Sequence, residues 1–198
     1  MKKTIVAMIA SSIFLAGCLG IGGENSGDET NQDQGSITQN FSLYQASDFS
    51  ITHPSDWEIL EKKDFPSNVP TSTIVIFRSN IKNDIFTPNL NISQTTISNN
   101  LTSTDFGLQT LTTEKYNLVG FREISREEYS IGSEENQVKA FITTFQGQKT
   151  ITENTIEFKQ LCIARNQYGI IITGAYLPAE GEELSDKMDK IIKSFKFN

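Results

Sequence analysis

From Phe41 onward the chain alternates apolar and polar positions in short runs separated by Asn, Gly and Pro breakers. Leu43-Tyr44 and Phe49-Ser50-Ile51-Thr52 read as short strands joined by a turn that contains Ser47 and Asp48, since a period of two puts alternate side chains on one face. Pro54-Ser55-Asp56-Trp57 then turns the chain into Glu58-Ile59-Leu60; Pro54 pre-sets the turn and Asp56 is short enough to bond a nearby amide. Residues 72–77 and 90–97 are β-branched, alternating runs bounded by Pro70, Pro88 and Asn-rich breakers, and they predict two further strands.

Between Ser103 and Leu118 the positions Leu108, Leu111, Leu118 and the stem of Lys115 fall three or four apart. That spacing predicts a helix laying one face on a sheet. Residues 137–146, 155–164 and 168–176 predict three antiparallel strands. The last two join through Arg165-Asn166-Gln167-Tyr168-Gly169, with a glycine where hairpins often need a positive φ. Pro178 closes the last strand, and residues 180–194 form a second predicted helix with Leu184, Met188, Ile191 and Ile192 on one stripe. Its acids Glu180, Glu182 and Glu183 come early and Lys187, Lys190 and Lys193 come late, complementing the helix dipole. Tryptophan at position 57, ahead of Ile59 and Leu60, reads as a large core residue.

The segment before Phe41 follows different rules. Lys2 and Lys3 precede an apolar run over residues 4–15, which ends in Leu15-Ala16-Gly17-Cys18. The run is shorter than the roughly 20 residues of a spanning helix. A basic start, an apolar stretch, small residues and a cysteine make residues 1–17 a lipoprotein signal peptide, with Cys18 as the lipid-attachment residue and the first residue of the mature chain. Two acyl chains hold a membrane stably where one does not, so the expected location is a cell membrane, lipid-anchored, on its extracytoplasmic face. Residues 18–40 comprise this cysteine and a linker rich in Gly, Asn, Gln and Ser, with the acids Glu24, Asp28, Glu29 and Asp33. Such a composition cannot bury enough apolar surface to offset ordering, so a disordered tether is expected, with a reach of roughly 25 Å. Residues 41–198 make one globular domain.

Charge and cysteine usage narrow the picture. The net charge is −7, and loss of Lys2 and Lys3 with the signal makes the mature chain more acidic still. An acidic chain without basic runs is a poor match to a phosphate backbone, so nucleic acid is set aside as a partner. With Cys18 acylated, Cys162 has no intrachain partner, and its alternating apolar context reads as a buried core position.

The globular segment resembles the PsbP-like domains at both ends. The opening Phe49-Ser50-Ile51 followed by Pro54-Ser55-Asp56-Trp57 is similar to the start of that family, with His53 where an aromatic tyrosine is usual. The ending is similar too: a strand hairpin over residues 161–176, a loop with Pro178, a helix, and Ile191-Ile192-Lys193-Ser194-Phe195. The resemblance implies an α+β fold, an α-β-α sandwich around a mostly antiparallel sheet with a C-terminal helix. It also implies an accessory role; the best-known members are lumenal subunits of photosystem II, and relatives in other bacteria and archaea are often lipoproteins.

The residues offer little chemistry. His53 is the single histidine, and no partners stand at metal-ligand spacing from it. No Gly-x-Ser-x-Gly elbow, phosphate-binding loop or dinucleotide fingerprint is present. Glu123, Glu127 and Glu128 with Arg122 and Arg126 read as a solvated strand or loop, and Glu134-Glu135 beside Gly132-Ser133 as a turn. Asn40, Asn91 and Asn100 each begin an Asn-x-Ser/Thr acceptor pattern. No catalytic, cofactor-binding or metal residues are assigned, and no cofactor is expected. The expected function is therefore a non-catalytic interaction domain docking on an envelope protein. The alternative is a small-molecule or lipid carrier using space between sheet and helix.

Overall fold

The computed structural model describes residues 40–81, 84–133 and 137–198. The signal segment, Cys18, the linker before Asn40 and the Glu134-Glu135 turn lie outside the described residues. Ten strands and two helices follow in order among the described residues: β1 (Phe41–Gln45), β2 (Phe49–Pro54), β3 (Glu58–Glu61), β4 (Thr73–Arg78), β5 (Asn89–Thr96), α1 (Ser103–Asn117), β6 (Val119–Ile131), β7 (Val138–Gln148), β8 (Ile156–Arg165), β9 (Tyr168–Tyr176), α2 (Gly181–Lys193) and β10 (Lys196–Phe197).

Seven strands form one antiparallel sheet in the order β3-β4-β5-β9-β8-β7-β6, and β1-β2-β10 form a small second sheet. The fold is α+β, as the resemblance implied. The charged run after α1, for which the sequence left strand or loop open, is a strand, β6. Its exposed residues, its charges and two register breaks against β7 leave a long edge that is hard for another chain to extend. The opposite edge, β3, is only four residues long.

The central strands are apolar on both faces. Ile170, Ile172 and Tyr176 of β9 and Leu161 and Ile163 of β8 join Leu90, Ile92, Val75 and Phe77 in the larger core. Met188, Ile191 and Ile192 of α2, with Phe49 and Ile51 of β2, cover that face. Gly174 makes the close approach possible: a Cβ there would lie 2.7 Å from the Met188 sulfur. The predicted stripe of α2 is thus the one that packs. Trp57 belongs to the same core at 5 % exposure, its amide bonded to the Pro54 carbonyl at 3.0 Å.

The opposite face is covered by α1, whose N-cap Thr102 accepts from the Asp105 amide at 3.1 Å. Leu111 and Leu118 meet Phe145, Phe158 and Ile156, while Phe106 meets Cys162 and Ile171. The helix was correctly predicted, and Leu111 and Leu118 of its predicted face are buried, but the rest of that face is not. Leu108 and Lys115 are exposed, and Phe106, Thr110 and Glu114 are buried instead. The cause lies on the sheet. Asn91, Thr173, Gln160 and Thr143 form a polar row across β5, β9, β8 and β7, and a polar helix stripe faces a polar surface better than a leucine does.

The hairpin between β8 and β9 also differs from expectation. Asn166, not Gly169, takes the left-handed backbone, with φ of 56°. Gly169 is needed for closeness, since a Cβ there would collide with the Phe106 ring.

Two predictions follow from this packing. Replacing Trp57 with Ala removes a buried indole and should destabilise the chain by about 3–5 kcal/mol, read from denaturant midpoints; native emission characteristic of a solvated indole would contradict it. Burial, aided by the Glu114 charge and opposed by the Thr110 hydrogen bond, pushes the Cys162 thiol up to about 12 from its ordinary 9.0. A folded value raised above the unfolded one gives stability that is complete below the unfolded value and is lost as pH rises toward the folded one. Unfolding free energy should therefore fall between about pH 9 and 12, more shallowly in Cys162→Ala, and maleimide should label Cys162 only as fast as the chain unfolds.

Candidate functional site

The end of the fold where β8 turns into β9 and where β10 meets β2 carries the most developed surface. Arg165, the last residue of β8, extends over the ring of Phe197 on β10, with the guanidinium carbon 4.3 Å from the ring centroid. The ring beneath is fixed in turn. Phe197 stands edge-on to Phe195 at 5.2 Å, and Phe195 stacks on Phe49 at 5.4 Å. Tyr44 bridges Phe49 and Phe77, and Phe77 stacks on His53 at 5.0 Å. One run of rings thus connects a surface arginine to the buried interior.

Arg165 on Phe197 forms a ridge between two open grooves. The first, of about 820 Å³, is floored by Ile131, Val138, Phe195 and Phe197 and rimmed by Lys193 and Lys196. The second, of about 600 Å³, runs past Asp48, Lys62, Gln94 and Tyr168. Both volumes fall within the usual range for ligand sites, but an open groove leaves more of an occupant in water than a closed pocket does.

The cations of the first groove are not equivalent. Lys193 pairs with Asp189 at 2.7 Å and with Glu127 at 3.2 Å. The Asp189 hydrogen bond, followed by that of Glu127, raises its pKa above the ordinary lysine value against the opposing effect of burial. Arg165 and Lys196 have no ion pair among the described residues. A guanidinium stacked on an aromatic ring keeps its hydrogen-bond donors for a carboxylate or phosphate.

The residues singled out from the sequence lie elsewhere. His53 is buried at 4 % exposure; its Nδ1 donates to the Pro54 carbonyl at 2.8 Å while the ring stacks on Phe77. Neither a serine nor a carboxylate bonds to it among the described residues. Cys162 is buried beneath α1 and Trp57 lies in the core, so neither faces a groove. Asn91 is buried at 2 % in β5 and is closed to glycosylation in the folded state, whereas Asn40 and Asn100 are exposed. Among the described residues no three His, Cys, Asp or Glu side chains cluster closely enough to hold a metal ion. Sequence reading missed Arg165 and Phe197 because their meeting depends on β10, a two-residue strand. The only trace was the alternation Phe195-Lys196-Phe197 after the second helix.

No protein-family model matches the chain, and no curated protein matches it either. Solved structures do. Cyanobacterial PsbP (CyanoP) from Synechocystis sp. PCC 6803 superposes with a TM-score of 0.58 at 13% identity, over 85% of this chain and 98% of its own. LpqN of Mycobacterium tuberculosis, described as involved in cell envelope biogenesis, matches with a TM-score of 0.53 at 14% identity, over 81% and 92% of the two chains. Protein PA94 of Pseudomonas aeruginosa, of unknown function, gives 0.51 at 16% identity, over 78% and 94%. Identities this low speak to architecture alone: the chain has the PsbP-like α+β fold, antiparallel sheets with a helix on each face of the larger one.

Proposed function

We propose that this chain is a membrane-anchored, extracytoplasmic lipoprotein whose PsbP-like domain acts by binding and docks on another component of the cell envelope. The observation that carries the binding reading is the Arg165–Phe197 ridge between two open grooves. It presents Arg165 and Lys196, which have no ion pair among the described residues, beside apolar rings, while the neighbouring Lys193 is already held by Asp189 and Glu127.

Three further features support the reading. The Leu15-Ala16-Gly17-Cys18 motif provides a lipid-attachment cysteine. Among the described residues no helix is long and apolar enough to cross a membrane, which is compatible with attachment through a lipid on Cys18. The fold is shared with LpqN, described as involved in cell envelope biogenesis. A tether confines a domain near its neighbours and raises their effective concentration, which favours a modest docking surface. The carrier alternative draws on the apolar floor of the first groove. That groove lies at the end of the sheet, however, whereas the space between sheet and α2 is filled by Met188, Ile191 and Ile192.

Labelling cells with a radioactive fatty acid should mark the wild-type chain. Cys18→Ala should lose the label and either leave the membrane or accumulate uncleaved; an unlabelled wild type would overturn the anchor. Crosslinking in native membranes, with captured neighbours identified by mass spectrometry, should return one envelope complex repeatedly. A bound lipid co-purifying with the chain, with no protein captured, would replace docking by carriage.

A further inference from the structure

Resting on the docking reading, we infer that the first groove takes an extended, acidic segment of a protein partner, its carboxylates meeting Arg165 and Lys196 and its apolar side chains meeting the floor between β6 and β10.

The occupant's charge follows from the rim. The chain as a whole carries −7, yet the groove presents Arg165 and Lys196 without an ion-pair partner among the described residues and Lys193 already satisfied by Asp189 and Glu127. An overall acidic protein repels acidic partners at long range, so a local cationic ridge selects a partner by position and not by bulk charge. Phe197 pre-orients the guanidinium, which lowers the entropy lost when a carboxylate arrives.

The extended form follows from the backbone. β10 pairs with β2 alone and is therefore an edge of the small sheet. The second groove contains Ala46 to Phe49 at the β1–β2 turn, while the first contains Tyr129 to Gly132 of the β6 end and no residue of β1 or β2. The free edge of β10 thus borders the first groove. An added strand there would lie along the side of the two-residue β10 that no strand of the described residues pairs, with side chains alternating between the floor and the cationic rim. An amphiphile with an anionic head meets the same charges but gains nothing from a strand edge, and an open groove leaves its acyl chain in water.

The test uses the full chain carrying Cys18→Ala, so that no acyl group recruits lipid. Its probes are a fluorescent peptide alternating Glu with Ile, and phosphatidylglycerol vesicles with neutral phosphatidylcholine vesicles as control. The peptide should bind saturably, more weakly as salt rises, with Arg165→Ala reducing affinity about tenfold, the size of a lost charge-assisted hydrogen bond. Lys196→Glu, at an exposed position, should weaken binding further while leaving Trp57 emission unchanged; it remains readable if Arg165→Ala fails to fold. Peptide binding indifferent to both substitutions would overturn the inference. So would absent peptide binding with selective, Arg165-dependent binding to phosphatidylglycerol, which assigns the groove to lipid. If crosslinking in membranes still captures the same complex with Arg165→Ala and Lys196→Glu, docking stands and this groove is excluded from it. If the wild type captures none, the docking reading itself falls.

Discussion

Strands β8 and β9 bury apolar side chains on both faces, and the architecture follows from the need to cover both. Ile170 and Ile172 point one way and Ile171 and Ala175 the other, so a single helix layer cannot remove all of this surface from water. α1 covers one face. The other is too broad for α2 alone, and the small sheet completes it with Phe49 and Ile51 of β2. That cover is closed by the last strand: β10 must return to β2, and the Thr52 amide donates to Ser194 Oγ at 2.9 Å where α2 hands over to it. The site is a consequence of this closure. Bringing Phe195 and Phe197 back beside Phe49 also sets Phe197 under Arg165.

The two helices solve their packing in different ways. α2 has an apolar stripe that faces apolar strands, and burial of Met188, Ile191 and Ile192 is sufficient to seat it. Beneath α1 the sheet surface is partly polar, and hydrogen bonds must do part of the work. Gln160 donates to Thr173 Oγ1 at 3.1 Å, and Thr110 donates to the Phe106 carbonyl at 2.9 Å. Asn89 Oδ1 and Asn91 Oδ1 have no hydrogen-bond partner among the described residues. Buried acceptors of this kind lose stability relative to an apolar layer, but a polar row fixes which strand positions the helix stands over.

The groove gains its character from neighbours that are neutralised. Lys193 is held by Asp189 and Glu127, and Tyr129 donates to its carbonyl at 2.8 Å. These contacts tie the end of α2 to β6 and make one wall of the groove rigid. Arg165 and Lys196 line the same groove, one fixed by a ring and the other exposed. A rigid wall with free charges is suited to recognition, because little ordering is left to be done on binding.

Much of this was legible in the residues. Alternation placed the strand pairs, since a period of two survives wherever one face is buried. The stripe Leu184, Met188, Ile191 and Ile192 identified α2 and its packed face, and Trp57 after Pro-Ser-Asp was read correctly as core. Local pattern failed where the deciding partner is distant in sequence. The buried face of α1 was set by Gln160, Thr173 and Asn91, whose placement depends on the register of three other strands. The hairpin's positive φ fell to Asn166 because the register pairs Arg165 with Tyr168, leaving Asn166 and Gln167 as the turn and Gly169 inside β9, where it admits the Phe106 ring. β10 is too short to show a period, and only the closure of the small sheet makes it a strand. By itself the sequence determined most of the strands and both helices, which are properties of neighbouring residues. The tertiary structure alone decided the site, because Arg165 and Phe197 lie on different sheets and meet only when both faces of the central strands are covered.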